Sequence, residues 1–158
     1  LTEAAEDTLE GRFLSFLIGN ETYGIEIRYV TEIVGIQAIT AMPEMPNYIK
    51  GIINLRGIIV PLMDIRLRFS MEPKAYDDRT CVIVADFAGA PIGLIVDSVS
   101  EVIYLPTENI VDLTNNSLGL SNKYIKNIGK FDSDVILLLD CKKLLTADEL
   151  QDLSEAVQ

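Results

Sequence analysis

Residues Tyr48–Ile65 read YIKGIINLRGIIVPLMDI. Gly51–Leu55 and Ile58–Met63 are short apolar runs rich in isoleucine and valine, separated only by Arg56-Gly57. Two β-type runs around a two-residue break ending in glycine predict a hairpin. A tight turn lifts Arg56 clear of the sheet and leaves its flat, five-donor guanidinium free to meet a carboxylate. A merely solvated turn cation is the simpler alternative, and this stretch alone does not separate the two.

Working outward, Leu1–Gly11 carries Glu3, Glu6, Asp7 and Glu10 and little apolar content, which predicts a flexible acidic tail. Arg12–Ile18 and Thr22–Ile27 read as strands joined at Gly19-Asn20. Ile27, Val30 and Val34 have helical spacing, while Glu32-Ile33-Val34 reads equally well as strand. Pro43 and Pro46 make Thr40–Asn47 an ordered connector. Asp64–Asp78 is polar and irregular. Thr80–Phe87, Ile92–Val96 and Val99–Leu105 read as strands, and Thr107–Lys123, with Asn115-Asn116, Ser117 and Gly119, as the longest loop. Ile125–Phe131 and Val135–Asp140 form a last hairpin. Thr146 and Glu149 have the spacing of a capping box, so a C-terminal helix is expected with Leu150, Leu153 and Val157 on one side.

Two pairs of segments repeat. Tyr23–Ile33 (YGIEIRYVTEI) aligns with Ile92–Val102 (IGLIVDSVSEV), matching Gly24 to Gly93, Val30 to Val99 and Glu32 to Glu101. Tyr48–Ile65 aligns with Tyr124–Cys141 (YIKNIGKFDSDVILLLDC), matching Tyr-Ile-Lys to Tyr-Ile-Lys and Asp64 to Asp140. Each copy offers about five short strands, too few to bury a robust core alone. The expectation is an all-β fold with short helices: two five-stranded barrels packed on each other, with a partner groove at their seam. The copies differ at the hairpin tip, where Arg56 corresponds to Asp132.

The chain has 158 residues, 49% of them apolar, enough for a real core. Its net charge of −11 would repel a nucleic-acid backbone or an anionic membrane, and no basic run offsets it. No apolar stretch approaches the ~18 residues of a membrane span, and no secretory signal pattern opens the sequence. Histidine is absent, which removes Ser-His-Asp and Cys-His catalysis and HExxH zinc chemistry. Cys81 and Cys141 lie inside apolar strands and read as small buried hydrophobes, consistent with a reducing, cytoplasmic home.

Candidate chemistry is sparse. Asp64 and Asp140 could form a carboxylate pair, but both end an apolar strand at matching repeat positions, where a turn or helix cap accounts for them. Asp132-Ser133-Asp134 lacks the spacing of a calcium loop. No phosphate-binding glycine motif occurs, and no cofactor is expected. Glu32 and Arg56 are the polar residues that best fit a charged pair at a partner-facing edge. Val30 and Val99 line either the seam or the core.

These motifs carry a resemblance. FLSFLIGNETYGIEI (Phe13–Ile27), VTEI (Val30–Ile33), GIINLRGIIVPLMDIRLRF (Gly51–Phe69), IGLIVDSVSEV (Ile92–Val102) and VILLLD (Val135–Asp140) together resemble the CheW family of bacterial chemotaxis adaptors, over about Arg12 to Leu153. The resemblance implies one domain over 12–153, flanked by the tail at 1–11 and a C-terminal end at 154–158. It implies two SH3-like five-stranded subdomains and a non-enzymatic protein that links the cytoplasmic tip of methyl-accepting chemoreceptors to the regulatory domain of the histidine kinase CheA. No nucleic acid and no membrane insertion enter that role. Carried across by motif, the partner-binding positions are Val30, Glu32 and Ile33, the turn residues Asn54, Arg56 and Gly57, and Cys81 and Val82; Val99 joins them as the repeat partner of Val30. Cys81 departs from the aliphatic residue usual in the family. The same module occurs within CheA and CheV, so a module of such a protein is the alternative.

Overall fold

A computed structural model describes residues 9–112 and 123–157. Strands β1 (Arg12–Ile18) and β2 (Glu21–Glu26) form a hairpin, a 3-10 turn (Ile27–Tyr29) leads into β3 (Val30–Gly35), and β4 (Ile49–Leu55) and β5 (Ile58–Asp64) flank Arg56-Gly57. Helix α1 (Ile65–Arg68) follows. The second half runs β6 (Cys81–Phe87), β7 (Ala90–Val96), β8 (Ser98–Tyr104), β9 (Ile110–Asp112), β10 (Ile125–Phe131), β11 (Asp134–Leu139), α2 (Cys141–Leu144) and α3 (Ala147–Ala156).

The repeat is real, and its two copies are interlaced. One sheet has the order β8-β1-β2-β11-β10-β9 and the other β3-β6-β7-β5-β4. The first hairpin of each copy therefore sits in the sheet completed by the other copy. The registers agree across the halves. In the two parallel ladders Gly24 faces Leu138 and Gly93 faces Leu62, the same pair of repeat positions. Both glycines are there because the leucine comes too close for a side chain. A Cβ at Gly93 would lie 2.4 Å from Leu62 Cδ2, and one at Gly24 2.9 Å from Leu138 Cδ2.

Burial follows the two-residue period of a strand. On β6, Ile83, Ala85 and Phe87 enter a large core shared by both sheets, whereas Val82 and Val84 enter a smaller core inside the five-stranded sheet with Ile53, Leu55, Val60, Leu62 and Ile95. Phe13, Ile103, Leu105, Ile136 and Leu138 form the matching core of the six-stranded sheet. The seam expected to be a groove is thus filled by side chains.

The two-subdomain all-β architecture is as expected, but the sheets have six and five strands and neither closes into a barrel by strand pairing. The edges of the five-stranded sheet meet at a single bridge, Thr40 to Ile52. Gly51 lets the chains cross there, since a Cβ on it would lie 2.2 Å from the Thr40 carbonyl oxygen. Pro43 and Pro46 keep the connector from extending this bridge into a ladder. Three local expectations change. The Ile27–Val34 ambiguity resolves into a 3-10 turn and then strand. The segment after Asp64 begins with α1, capped by the Asp64 side chain. Cys141 starts helix α2 rather than lying in a strand. The predicted long loop begins with a 3-10 turn and β9; its Asn115–Gly119 portion lies outside the described residues, as does most of the predicted tail. The capping box at Thr146 and Glu149 is formed, and Leu153 is buried beneath α3.

Candidate partner-binding site

The β4–β5 turn has positive φ at both central residues, 53° at Arg56 and 88° at Gly57. Such a turn matches the twist of the strands, but its first position ordinarily takes Asn, Asp or Gly. Arginine there costs ~1 kcal/mol of backbone strain. Asn54 supports the turn by accepting the Gly57 N–H at 2.7 Å.

The strained arginine ion-pairs with Glu32 on β3. Arg56 keeps 69% of its side chain exposed and Glu32 33%. An exposed pair adds ~0–1 kcal/mol, too little to justify the strain by stability alone. Glu32 is aimed by a bulge, since the β3–β6 register shifts between Val30 and Glu32. Thr31 fixes the bulge by donating its hydroxyl to the Val84 carbonyl at 3.0 Å.

Beneath the pair lies a groove of about 400 Å³. Leu55, Val60, Val84, Ala85 and Pro91 give it apolar lining, Thr31, Glu32, Arg56 and Asp86 a polar rim. Ile58, 57% exposed, forms an apolar shoulder. Sequence reasoning singled out the rim and missed the lining. The only available signal was Ile58-Ile59, the start of a strand otherwise buried along its length.

The remaining positions separate. Ile33 is exposed on the edge strand β3. Val30 and Val99 are partly buried against the shared core, which favours the packing reading. Cys81 is half-buried at the far end of β6 from the groove. Val82 is corrected: it is fully buried in the core of the five-stranded sheet and presents nothing to a partner. Its side of β6 looked available only because both faces of that strand are apolar.

Two polar networks hold the frame around the site. Arg66 grips Asp97 through Nε and Nη2 at 2.9 and 2.5 Å, and Asp97 also accepts the Gly19 N–H. Arg68 lies 4.2 Å from the Tyr48 ring centre and 5.1 Å from that of Tyr124, and bonds the Leu144 carbonyl and Glu149. Burial pushes the Glu149 carboxyl up, but the Thr146 N–H, the Tyr48 hydroxyl and Arg68 outweigh it and hold the group down at about 2. Burial pushes the Cys141 thiol up to about 12. Asp64 and Asp140 are engaged as helix caps, and Asp64 also accepts the Tyr76 hydroxyl at 2.6 Å. Among the described residues no group of three or more acidic, Cys or His side chains could hold a metal ion. None of the described helices is long and apolar enough to cross a membrane.

The family model of the CheW-like domain matches residues 12–149. The chain belongs to the CheW-like family. It is 37% identical over 150 residues to the chemotaxis protein CheW of Klebsiella aerogenes, covering 95% of this chain and 90% of that one. It is 33% identical over 136 residues to a probable chemotaxis protein CheW of Rhizobium etli, covering 86% and 88%. The crystal structure of the scaffolding protein TtCheW from Thermoanaerobacter tengcongensis superposes with a TM-score of 0.80 at 31% identity, over 88% of this chain and 94% of that one. This CheW-family chain is therefore a chemotaxis adaptor with a scaffolding role.

Proposed function

We propose that this chain couples the cytoplasmic tips of methyl-accepting chemoreceptors to the regulatory domain of the histidine kinase CheA, in the cytoplasm at receptor arrays, without catalysing a reaction of its own. The observation that carries this reading is the strained Arg56, paired with Glu32 above an apolar groove. An apolar floor with a charged rim suits an amphipathic helix, whose apolar residues anchor while the rim sets orientation. Glu32, Ile33, Asn54, Arg56 and Gly57 form the recognition surface. Val30 and Val99 support it from the core side, and Cys81 stands apart from it at the opposite end of β6.

The test is binding of Arg56→Glu and Glu32→Arg to a receptor-tip fragment and to the kinase regulatory domain, measured separately. Each variant should weaken at least one complex about tenfold, equivalent to ~1.4 kcal/mol. The melting temperature should move by no more than about 4 °C, because the pair is exposed. Unchanged binding of both partners would overturn the assignment, and so would unfolding of either variant.

A further inference from the structure

Along β6 the side chains on the face of the smaller core run Val82, Val84, Asp86. The two valines are buried, and the row ends in an exposed carboxylate at the mouth of the groove. The registers locate the same row in the other half. Val84 faces Gly93 on β7, and Ser15 faces Gly24 on β2, so Asp86 corresponds to Leu17. Leu17 is half-buried. The scaffold therefore accepts an apolar side chain at this position, and its own packing does not call for a charge.

Three charged residues line the groove: Glu32, Arg56 and Asp86. Glu32 and Arg56 neutralise each other. The Asp86 side chain has no hydrogen-bond or ion-pair partner among the described residues. The groove is thus left with one unneutralised negative charge, set beside Val60, Val84 and Pro91. In the free chain water solvates that carboxylate. A partner that covers the apolar floor removes the water, and a carboxylate covered without a cation is costly.

We infer that Asp86 selects the partner of this groove: the protein segment docked there is amphipathic and sets a lysine or arginine against the Asp86 carboxylate. This rests on the groove being the recognition surface, as proposed above. Arginine can take both carboxylate oxygens through its planar fork, whereas lysine offers a point contact. Segments of equal apolar content that are uncharged or acidic at this point are refused, because they bury Asp86 unpaired.

The experiment is titration calorimetry of the whole chain with the receptor-tip fragment and with the kinase regulatory domain, Arg56→Glu being run alongside. For a complex that Arg56→Glu weakens, Asp86→Asn should weaken binding about threefold and reduce its salt dependence, and Asp86→Lys should weaken it about tenfold or more. Asp78→Asn is the control for overall charge. It removes the same charge from an exposed position just before the far end of β6, and should leave binding unchanged. The melting temperatures of the Asp86 variants should match that of the parent chain. Unchanged or tighter binding by both Asp86 variants, with Arg56→Glu still weakening the complex, would overturn this inference and leave the groove standing. No effect from any of these variants would overturn the groove itself. An equal loss in Asp78→Asn would reduce the effect to attraction by the net charge of −11 and overturn the inference, and so would a clear fall in the melting temperature of Asp86→Asn.

Discussion

Replacing Arg68 by alanine tests whether the frame is held at the point where the two copies meet. Its guanidinium lies between Tyr48 and Tyr124, the same repeat position in each copy, and only 10% of its side chain is exposed. The variant loses bonds of 2.8 Å each to the Leu144 carbonyl and to Glu149, and leaves the carboxylate without its cation, held only by the Tyr48 hydroxyl and the Thr146 N–H. Hydrogen bonds to charged groups are worth ~1.5–3 kcal/mol each, and a cation over an aromatic ring ~0.5–2 kcal/mol. These terms overlap, so the loss is set by breaking one largely buried pair, ~3–5 kcal/mol. For a chain of this size that is a fall of roughly 6–20 °C in Tm. Urea unfolding at neutral pH measures it. The pH dependence gives an independent check. Glu149 is depressed from 4.5 to about 2, so its stabilisation is full above the unfolded value and is lost as pH falls through the folded one. Allowing for solvent screening, that acid limb is worth on the order of 1–2 kcal/mol, and Arg68→Ala should shrink it, the Thr146 N–H and Tyr48 hydroxyl keeping the remainder. A loss below ~1 kcal/mol, or an acid limb that Arg68→Ala leaves untouched, would refute the reasoning.

Gly93→Ala should destabilise by at least ~1–3 kcal/mol, because its Cβ would meet Leu62 Cδ2 at 2.4 Å and Val82 Cγ1 at 2.7 Å; chemical denaturation reads this directly. Gly24→Ala should cost less, its nearest contact being 2.9 Å. Gly57→Ala meets no atom within 4 Å and should cost only the ~1 kcal/mol of a left-handed backbone, while leaving Arg56 displayed. Alkylation of the native chain should modify the half-buried Cys81 well before Cys141, whose thiol is buried and held at about 12; mass spectrometry of partial digests distinguishes them.

The fold was legible where local chemistry is specific. Asn54-Leu55-Arg56-Gly57 specifies a two-residue turn, Thr146 and Glu149 specify a helix start, and the paired Gly, Tyr-Ile-Lys and Asp matches specify a duplication. Which sheet each hairpin joins was not legible, because equivalence between copies says nothing about which copy supplies a neighbour. The fate of Val82 was hidden for a related reason: a strand buried on both faces is apolar throughout, so periodicity cannot tell one core from the other. The groove's lining comes from strands distant in sequence and leaves no local pattern. What the sequence does expose is where the symmetry fails. Glu32 faces Arg56 in one half, while the same positions in the other carry Glu101 and Asp132, two acids that cannot pair. Arg66 holds Asp97 in one half, while the aligned positions in the other carry Lys142 and Arg28, the latter paired with Glu26. Shape alone therefore does not localise function in this chain, since both halves follow one plan. The proposed recognition surface lies where the charges break that equivalence, at Glu32 and Arg56.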